Sequence, residues 1–345
     1  MPPINQEDDR SERLLEMLDG FAISQIVCAA AQLEIPEHLA TGPLTAEQLA
    51  ARTATQVEPL RRLMQAWCLL GLLRQDDDPG RHHGTPLLEL LGKDSPRSLA
   101  GMARLYGQEY YQAWGQLLHT VRTGRSGFEH HHRASLWSYL AEHEEAATAF
   151  GRAMTFNVRR HIPRILESYD FSRAAVVVDI GAANGELLAA VLSAYPELRG
   201  IAFDLPRVGE RSGTVFEDRG LTRRCDVVTG DFFEAVPAGG DLYMLKAVLH
   251  NWDDERAIRI LRNCRAAMSP GGRLLVIESP RPGASTGASD ELPLVLKDLW
   301  MMVLFGGRDR TTADYVKLIE SAGFAEIEIV PGPGSPVLIQ ATHRG

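Results

Sequence analysis

The chain has 345 residues, of which 45% are hydrophobic and 23% charged, and its formal net charge is −9 at pH 7. That length suits one or two domains with sizeable cores, and the acidic balance disfavours nucleic acid as a partner, because phosphate binding calls for a basic face. No apolar run reaches the ~18 residues of a membrane span, and Met1–Arg10 is too polar for a signal peptide. These features predict a cytoplasmic protein that binds no membrane.

The four cysteines are widely spaced along the chain and lie in apolar surroundings. A disulfide framework or a zinc site would need closer or patterned spacing. We therefore predict reduced, buried thiols and no metal site for Cys28, Cys68, Cys225 and Cys264.

The amino-terminal part predicts a helical module with a small wing. Residues Arg10–Gln32 place apolar side chains along one wide face, as in a long helix that needs a partner surface. A capping box at Thr45 and Gln48 opens a short helix, a second helix starts at Pro59, and the polar, histidine-rich segment Leu72–Pro86 follows as a β-wing. This order is typical of a winged helix.

A winged helix raises the alternative of a DNA-binding regulator. The predicted recognition helix carries only Arg61 and Arg62 as basic side chains. Because phosphate contacts dominate affinity for nucleic acid, the charge argues against this alternative.

The middle of the chain predicts two long helices, over Leu99–Leu118 and Glu145–Ser168, with a domain boundary at residues 168 and 169. Between them, three consecutive histidines, His130 to His132, are predicted to lie on a polar loop. Consecutive side chains cannot all face one ion, so we expect no metal there.

The carboxyl-terminal half predicts a parallel α/β sheet. The β-branched run Val176–Val178 is typical of a buried parallel strand. The small residues from Gly181 to Gly185 then predict a tight turn, and Glu186–Ala194 a helix whose amino terminus offers backbone N–H groups to a ligand.

Further predicted strands also end in polar residues. In an open α/β sheet, ligands bind outside the carboxyl ends of the strands. Each such residue has a structural explanation by itself, as a cap or a core side chain, but a common register at one edge favours a binding site. The residues are Asp179, Asp204, Asp231, Lys246, His250, Trp252 and Glu278.

The segment from Gly181 to Gly323 resembles the small-molecule O-methyltransferases that use S-adenosylmethionine, including plant caffeate-type enzymes and bacterial enzymes of antibiotic biosynthesis. The resemblance is carried by VVDIGAANG, FDLP, GDFF, LKAVLHNWDDERAIRILRNC, SPGGRLLVIE and GGRDRTTADYVKLIESAGF. The amino-terminal half also resembles this family, so the resemblance covers nearly the whole chain. It implies a Rossmann-like class I methyltransferase domain of the α/β class, preceded by an α-helical winged-helix domain that forms a homodimer and covers the substrate.

The resemblance also implies roles for individual residues. S-adenosylmethionine would contact Asp179 and Gly181 through its methionine part, Asp204 through its ribose, Asp231 and Phe232 through its adenine, and also Lys246 and Trp252. His250 would be the general base, oriented by Glu278 and Asp309. The substrate would be an aromatic small molecule lined by Phe150, Met154, Asn157, Asn251, Met301, Met302 and Phe305, although these side chains also suit an ordinary core.

Two positions depart from the family pattern. The turn has Ala182 and Ala183 where the family usually has glycine, which narrows the room for close backbone approach. Asp309 stands where glutamate is usual, and its shorter side chain reduces its reach toward His250.

Histidine suits the expected chemistry. A phenol with a pKa near ~10 is mostly protonated at neutral pH, and an imidazole can remove its proton. We therefore expect O-methylation of a phenolic or polyketide-like molecule. The alternative keeps fold and cofactor but catalyses hydroxylation, decarboxylation or a ring-forming rearrangement, as some proteins resembling this family do.

Overall fold

The structure, a computed structural model, describes residues 6–95, 97–281, 291–332 and 336–344. Two compact units are present. The first contains the described residues up to Tyr111 together with Glu144–Phe156, and the second contains Gln112–His143 and the chain from Asn157 onward. These units do not coincide with the predicted division at residues 168 and 169, because two helical stretches before it group with the carboxyl-terminal sheet.

The first unit has the predicted winged-helix pattern. A three-stranded antiparallel sheet of order β1-β3-β2 forms the wing. The Thr45–Gln48 capping box is present, and the second helix begins at Val57, two residues before Pro59. The elements are α1 Gln6–Gln32, α2 Ile35–Leu39, β1 Leu44–Thr45, α3 Ala46–Thr53, α4 Val57–Leu69, β2 Leu73–Gln75, β3 Arg81–Gly84, α5 Pro86–Glu89 and α6 Ala100–Gly107.

Helix α1 exposes a row of large apolar side chains. Leu14, Leu15, Met17, Leu18 and Phe21 are each about 60% exposed. Within the described residues, Arg10–Gln32 is also the one helical segment long and apolar enough to cross a membrane by length and composition. The expectation was that no such segment exists, because acidic residues interrupt this apolar stretch. Averaged along the helix, the wide apolar stripe outweighs those acidic residues.

The helical middle of the chain is more broken than predicted. The stretch 99–118 is interrupted after α6 and again after Trp114. The stretch 145–168 is interrupted at Arg160 and His161, and a new helix starts at Ile162 with Pro163 in its first turn. The elements are α7 Glu109–Trp114, α8 Leu117–Thr123, α9 Gly127–His132, α10 Leu136–Glu142, α11 Glu144–Arg159 and α12 Ile162–Ser168.

The three consecutive histidines lie at the end of α9, so their prediction as a loop was wrong. Ser126 caps this helix by accepting from the backbone N–H of Glu129, a local signal that the polar composition obscured. Among the described residues, no group of three or more His, Cys, Asp or Glu side chains is arranged to hold a metal ion. All four cysteines are free thiols; three are buried and Cys68 is partly exposed.

The second unit is built on a seven-stranded sheet of order β6-β5-β4-β7-β8-β10-β9. The five strands from β6 to β8 are parallel, and β10 is antiparallel to both of its neighbours. The elements are β4 Val176–Ile180, α13 Glu186–Ala194, β5 Arg199–Asp204, α14 Pro206–Asp218, β6 Cys225–Thr229, β7 Leu242–Lys246, α15 Asp254–Ala267, β8 Arg273–Glu278, α16 Leu292–Phe305, α17 Thr312–Ser321, β9 Ala325–Val330 and β10 Val337–Thr342, with 3-10 turns at Phe171–Arg173 and Leu249–Asn251.

The Rossmann-like prediction is confirmed by this topology. Strand β4 pairs with β5 on one side and with β7 on the other, so the chain reverses direction across the sheet at β4. In such sheets the ligand crevice opens at the carboxyl ends of the strands beside this reversal. The predicted polar residues lie at those ends.

Candidate active site

Three of the parallel strands, β5, β7 and β8, end in polar residues at the same edge of the sheet, with β4 between β5 and β7. Strand β5 ends at Asp204, β7 at Lys246 and β8 at Glu278. In register, Lys246 pairs with Ile277, the residue before Glu278. The polar residues at these strand ends therefore lie in a common register, as predicted from the sequence.

The turn after β4 requires glycine at two positions. Gly181 and Gly185 have φ of 74° and 77°, and a Cβ on Gly181 would lie 2.8 Å from Cγ2 of Val248. Ala183 also adopts a left-handed conformation, with φ of 51°, although it carries a Cβ. Such a conformation costs roughly 1–2 kcal/mol for an L-residue, so one of the two alanines strains the turn.

Asp204 ties this turn to β5. Its Oδ2 accepts from the backbone N–H of Ala183 at 2.8 Å and its Oδ1 accepts from Leu205 at 2.7 Å. Burial nevertheless raises the pKa of Asp204 to about 6. Burial, with the nearby charge of Asp204, raises the pKa of Asp179 to about 7. The crevice thus holds two acids that a hydrogen-bond donor or a cationic group would stabilise.

Lys246 is the basic group of this crevice. Burial lowers its pKa to about 8, while the carboxylate of Glu278 acts in the opposite direction. A lysine ammonium is seldom buried without a partner, and the neighbouring carboxylates explain its presence at the end of an apolar strand.

His250 lies on the 3-10 turn after β7, facing two carboxylates. Its Nδ1 is 3.0 Å from Oε2 of Glu278 and 3.5 Å from Oδ1 of Asp309. Burial would lower the pKa of His250, but the charge of Glu278 and hydrogen bonding to Asp309 and Glu278 outweigh burial and raise that pKa above its ordinary value.

Arg310, which the sequence reasoning did not single out, holds the turn that carries His250. Its side chain is 1% exposed. It donates to the carbonyl oxygens of Leu249 at 2.9 Å and Trp252 at 2.7 Å, and to Oδ1 of Asp254 at 2.9 Å. The only signal for it in the sequence was its place in the GGRDRT motif.

A cavity of about 500 Å³ opens beside the crevice. Asp231, Phe233, Trp252 and Arg256 line one side, and Trp137 lies among the residues that complete it. Asp231 does not cap a helix; its Oδ1 accepts from the N–H of Phe233 at 2.8 Å within a turn. The ring centroids of Phe233 and Trp252 are 4.7 Å apart at an interplanar angle of 86°. An aromatic surface therefore lies next to the strand ends.

The predicted substrate residues fall in different places. Phe305 lines this cavity, 5.4 Å from the ring of Trp137, and buried Asn251 follows His250 on the 3-10 turn. Met301 and Met302 are partly buried on α16. Asn157 belongs to the second compact unit, whereas Phe150 and Met154 belong to the first. Their shared role in a pocket stays a prediction.

Comparison with known proteins matches two domains. Residues 15–94 match the O-methyltransferase dimerisation domain and residues 114–325 the O-methyltransferase domain. The chain is 38% identical to the phenazine O-methyltransferase PhzM of Lysobacter antibioticus, over 96% of both chains. It is 34% identical to the aclacinomycin 10-hydroxylase RdmB of Streptomyces purpurascens, over 94% of this chain and 87% of the relative.

A solved structure agrees with the fold. The O-methyltransferase NcsB1 from neocarzinostatin biosynthesis, in complex with S-adenosyl-L-homocysteine and 1,4-dihydroxy-2-naphthoic acid, is similar with a TM-score of 0.81 and 30% identity. The similarity covers 93% of this chain and 96% of that one.

Proposed function

The chain belongs to the O-methyltransferase family, and on this premise we propose that it methylates a hydroxyl group of an aromatic small molecule, with S-adenosylmethionine as the methyl donor and His250 as the general base. The observation that carries the proposal is the His250–Glu278 pair, 3.0 Å apart at the edge of the crevice. A buried imidazole beside a carboxylate is the arrangement used to accept a proton.

The crevice residues fit S-adenosylmethionine. When bound, it supplies a methyl group on a positively charged sulfur. Asp204 would accept the ribose hydroxyls, because each of its oxygens has a second lone pair besides the one used by the turn. Asp179 and Gly181 would face the methionine part. Burial raises the pKa of Asp179 and of Asp204. Hydrogen-bond donors on the bound cofactor would therefore stabilise both groups as ionised carboxylates.

The adenine would lie at the aromatic cavity, between Asp231, Phe232 and Trp252. Phe232 and Trp252 have ring centroids 6.0 Å apart, and Asn263 holds the carbonyl oxygen of Phe232 at 2.8 Å. Lys246 would lie on the side of the reacting groups, next to Glu278.

The chain's own residues then perform two tasks. The site would align the hydroxyl oxygen with the methyl carbon at attacking distance, and such alignment by itself is worth many powers of ten in rate. His250 would take the hydroxyl proton while the oxygen–carbon bond forms and the carbon–sulfur bond breaks, its electron pair staying on the departing thioether sulfur, and Glu278 would stabilise the resulting imidazolium. Asp309, at 3.5 Å, would support the same charge.

Two kinds of support favour an aromatic substrate. Besides the rings assigned to the adenine, the cavity is lined by Trp137 and Phe305, and rings bury well against rings. By name, PhzM acts on phenazines, and NcsB1 is complexed with a dihydroxynaphthoic acid. We therefore propose a hydroxylated fused-ring or phenolic compound, as in antibiotic biosynthesis.

A second candidate is hydroxylation, since the relative RdmB is named a hydroxylase at 34% identity. The same fold and cofactor site would then serve a different reaction. The presence of His250, Glu278 and Asp309 in one cluster favours methyl transfer, which needs a base.

One experiment separates the two. The full-length protein is incubated with methyl-labelled S-adenosylmethionine and a panel of phenols, hydroxyphenazines, hydroxynaphthoates and anthracyclines. Label in the product supports methyl transfer. A hydroxylated, unlabelled product from the same panel would support the second candidate.

We also propose that two copies of the chain form a homodimer through α1 and its neighbours. The match to a dimerisation domain over residues 15–94 supports this, as does the exposed apolar row on α1. The cytoplasmic location stays a prediction.

A further inference from the structure

Lys297 binds the carboxylate that faces His250. Its Nζ donates to Oδ1 and Oδ2 of Asp309 at 2.9 and 2.7 Å and to the carbonyl oxygen of Ser279 at 3.0 Å. Oδ1 of Asp309 is the atom that lies 3.5 Å from Nδ1 of His250. The ammonium is therefore one carboxylate away from the imidazole.

The two carboxylates beside His250 are not equivalent. Glu278 uses its other oxygen, Oε1, to accept from the backbone N–H of Leu249 at 2.9 Å, a neutral partner. Asp309 has both oxygens on Lys297, and its backbone N–H donates to Asp298 at 2.8 Å. Thus both oxygens of Asp309 bind an ammonium group, whereas the second oxygen of Glu278 binds a neutral amide.

The other elements around the cluster bring few compensating charges. On α17, Tyr315 lies beside Glu278 and Asp309, and its pKa is raised by burial and then by those carboxylates, so it stays neutral. Arg310 directs its charge to backbone carbonyls and to Asp254. Lys246, at the end of β7, lies near Glu278 but has a pKa lowered by its burial.

An imidazole facing two uncompensated carboxylates would hold its proton strongly. We propose that Lys297 is a positioning residue that neutralises Asp309 and thereby keeps His250 in its neutral, proton-accepting form near neutral pH. The inference rests on the proposed role of His250 as general base. The distances agree with different roles for the two carboxylates: Asp309, with the shorter side chain, lies 3.5 Å from Nδ1 of His250, whereas Glu278 lies 3.0 Å from it.

The test uses the full-length protein with Lys297→Gln, in which the amide can still donate to Asp309 and Ser279 while the charge is lost. The proton equilibrium of His250 is followed by imidazole NMR over a pH series, with its signal assigned by its loss in His250→Ala. Because the positive charge of Lys297 is separated from the imidazole by one carboxylate, its removal should raise the pKa of His250 by about one unit.

Two controls separate charge from packing. Lys297→Arg keeps the charge and should leave the pKa of His250 within about 0.3 unit. Lys317→Gln removes an equal charge from an exposed site on α17, where the side chain is 74% exposed, and should have no effect. An unchanged pKa of His250 in Lys297→Gln overturns the inference.

Kinetics keep the inference distinct from the proposed function. If His250 is the base, the acidic limb of kcat in Lys297→Gln moves to higher pH by the same amount, while KM for S-adenosylmethionine stays unchanged. If the NMR pKa rises but the kinetic limb does not move, Lys297 controls the His250 proton as inferred and the role of His250 as base is refuted.

Discussion

Glu278 contacts both the ring and the backbone of the turn that carries His250. Its Oε2 lies 3.0 Å from Nδ1 of His250, and its Oε1 accepts from the N–H of Leu249 at 2.9 Å. Glu278 is 1% exposed, so solvent does not compete for either oxygen. A single buried carboxylate at the end of β8 therefore sets the orientation of the residue proposed as base.

The first prediction concerns that base. His250→Ala should lower turnover about 10²–10⁴-fold, the usual loss for a missing acid–base group, with nearly unchanged affinity for S-adenosylmethionine. Glu278→Gln should have a smaller effect, because the imidazole remains but is poorly oriented. Single-turnover methyl transfer and calorimetry measure the two quantities. His131→Ala, at an exposed position on α9, serves as the control, and near-normal turnover in His250→Ala would mean that no base is needed.

The second prediction is a pH dependence. Only the neutral imidazole accepts a proton, and the carboxylates raise the pKa of His250 above its ordinary value. The rate of the chemical step should therefore rise with pH and reach its midpoint above about 6.5. Single-turnover rates from about pH 5.5 to about 9 test this range. A rate that falls over it, or does not change, contradicts the assignment.

The third prediction concerns Asp204. Asp204→Ala removes a charged acceptor and should weaken binding of S-adenosylmethionine by ~1.5–3 kcal/mol, about ten- to a hundredfold. Asp226→Ala, at an exposed position on the neighbouring strand β6, should bind normally. Calorimetry on folded protein gives both affinities. Equal affinities in the two variants would remove Asp204 from the cofactor site.

The fourth prediction uses the strained turn. Ala183 has φ of 51°, so Ala183→Gly should raise the free energy of unfolding by about 1 kcal/mol through relief of strain. Ala182 is not among the described residues with positive φ, and Ala182→Gly should lower the same quantity by about 0.4–1 kcal/mol, because glycine adds freedom to the unfolded chain. Urea unfolding distinguishes the two signs, and a loss of stability in both variants would argue against strain at Ala183.

The fifth prediction tests the homodimer. The substitution Leu18→Glu or Phe21→Glu places a charge within the exposed apolar row of α1. Either variant should shift the protein to the monomer at micromolar concentration. Light scattering measures the mass. Ile329→Glu changes another exposed apolar side chain, on β9, and should leave the mass unchanged. A monomeric parent protein would refute the proposal outright.

Much of the fold could be predicted because its signals are local. The bounds of α13 match the predicted Glu186–Ala194, since the β-branched run before it and the small turn residues that open the helix lie within a few positions of each other. The Thr45–Gln48 capping box formed for the same reason. Where helices break depends instead on packing, and so the interruptions near Gly107 and His161 were missed.

The sequence by itself determined the residue types and their position at strand ends: Asp204, Lys246 and Glu278 lie at one edge because parallel strands align their carboxyl ends. Only the tertiary structure decided which atoms meet. Lys297 lies on α16 and Asp309 in the segment after it, and Arg310 reaches the turn of His250 across 61 positions of sequence. Such contacts depend on how α16 and the segment after it pack against the sheet, and the electrostatics of His250 depend on those distances rather than on spacing along the chain.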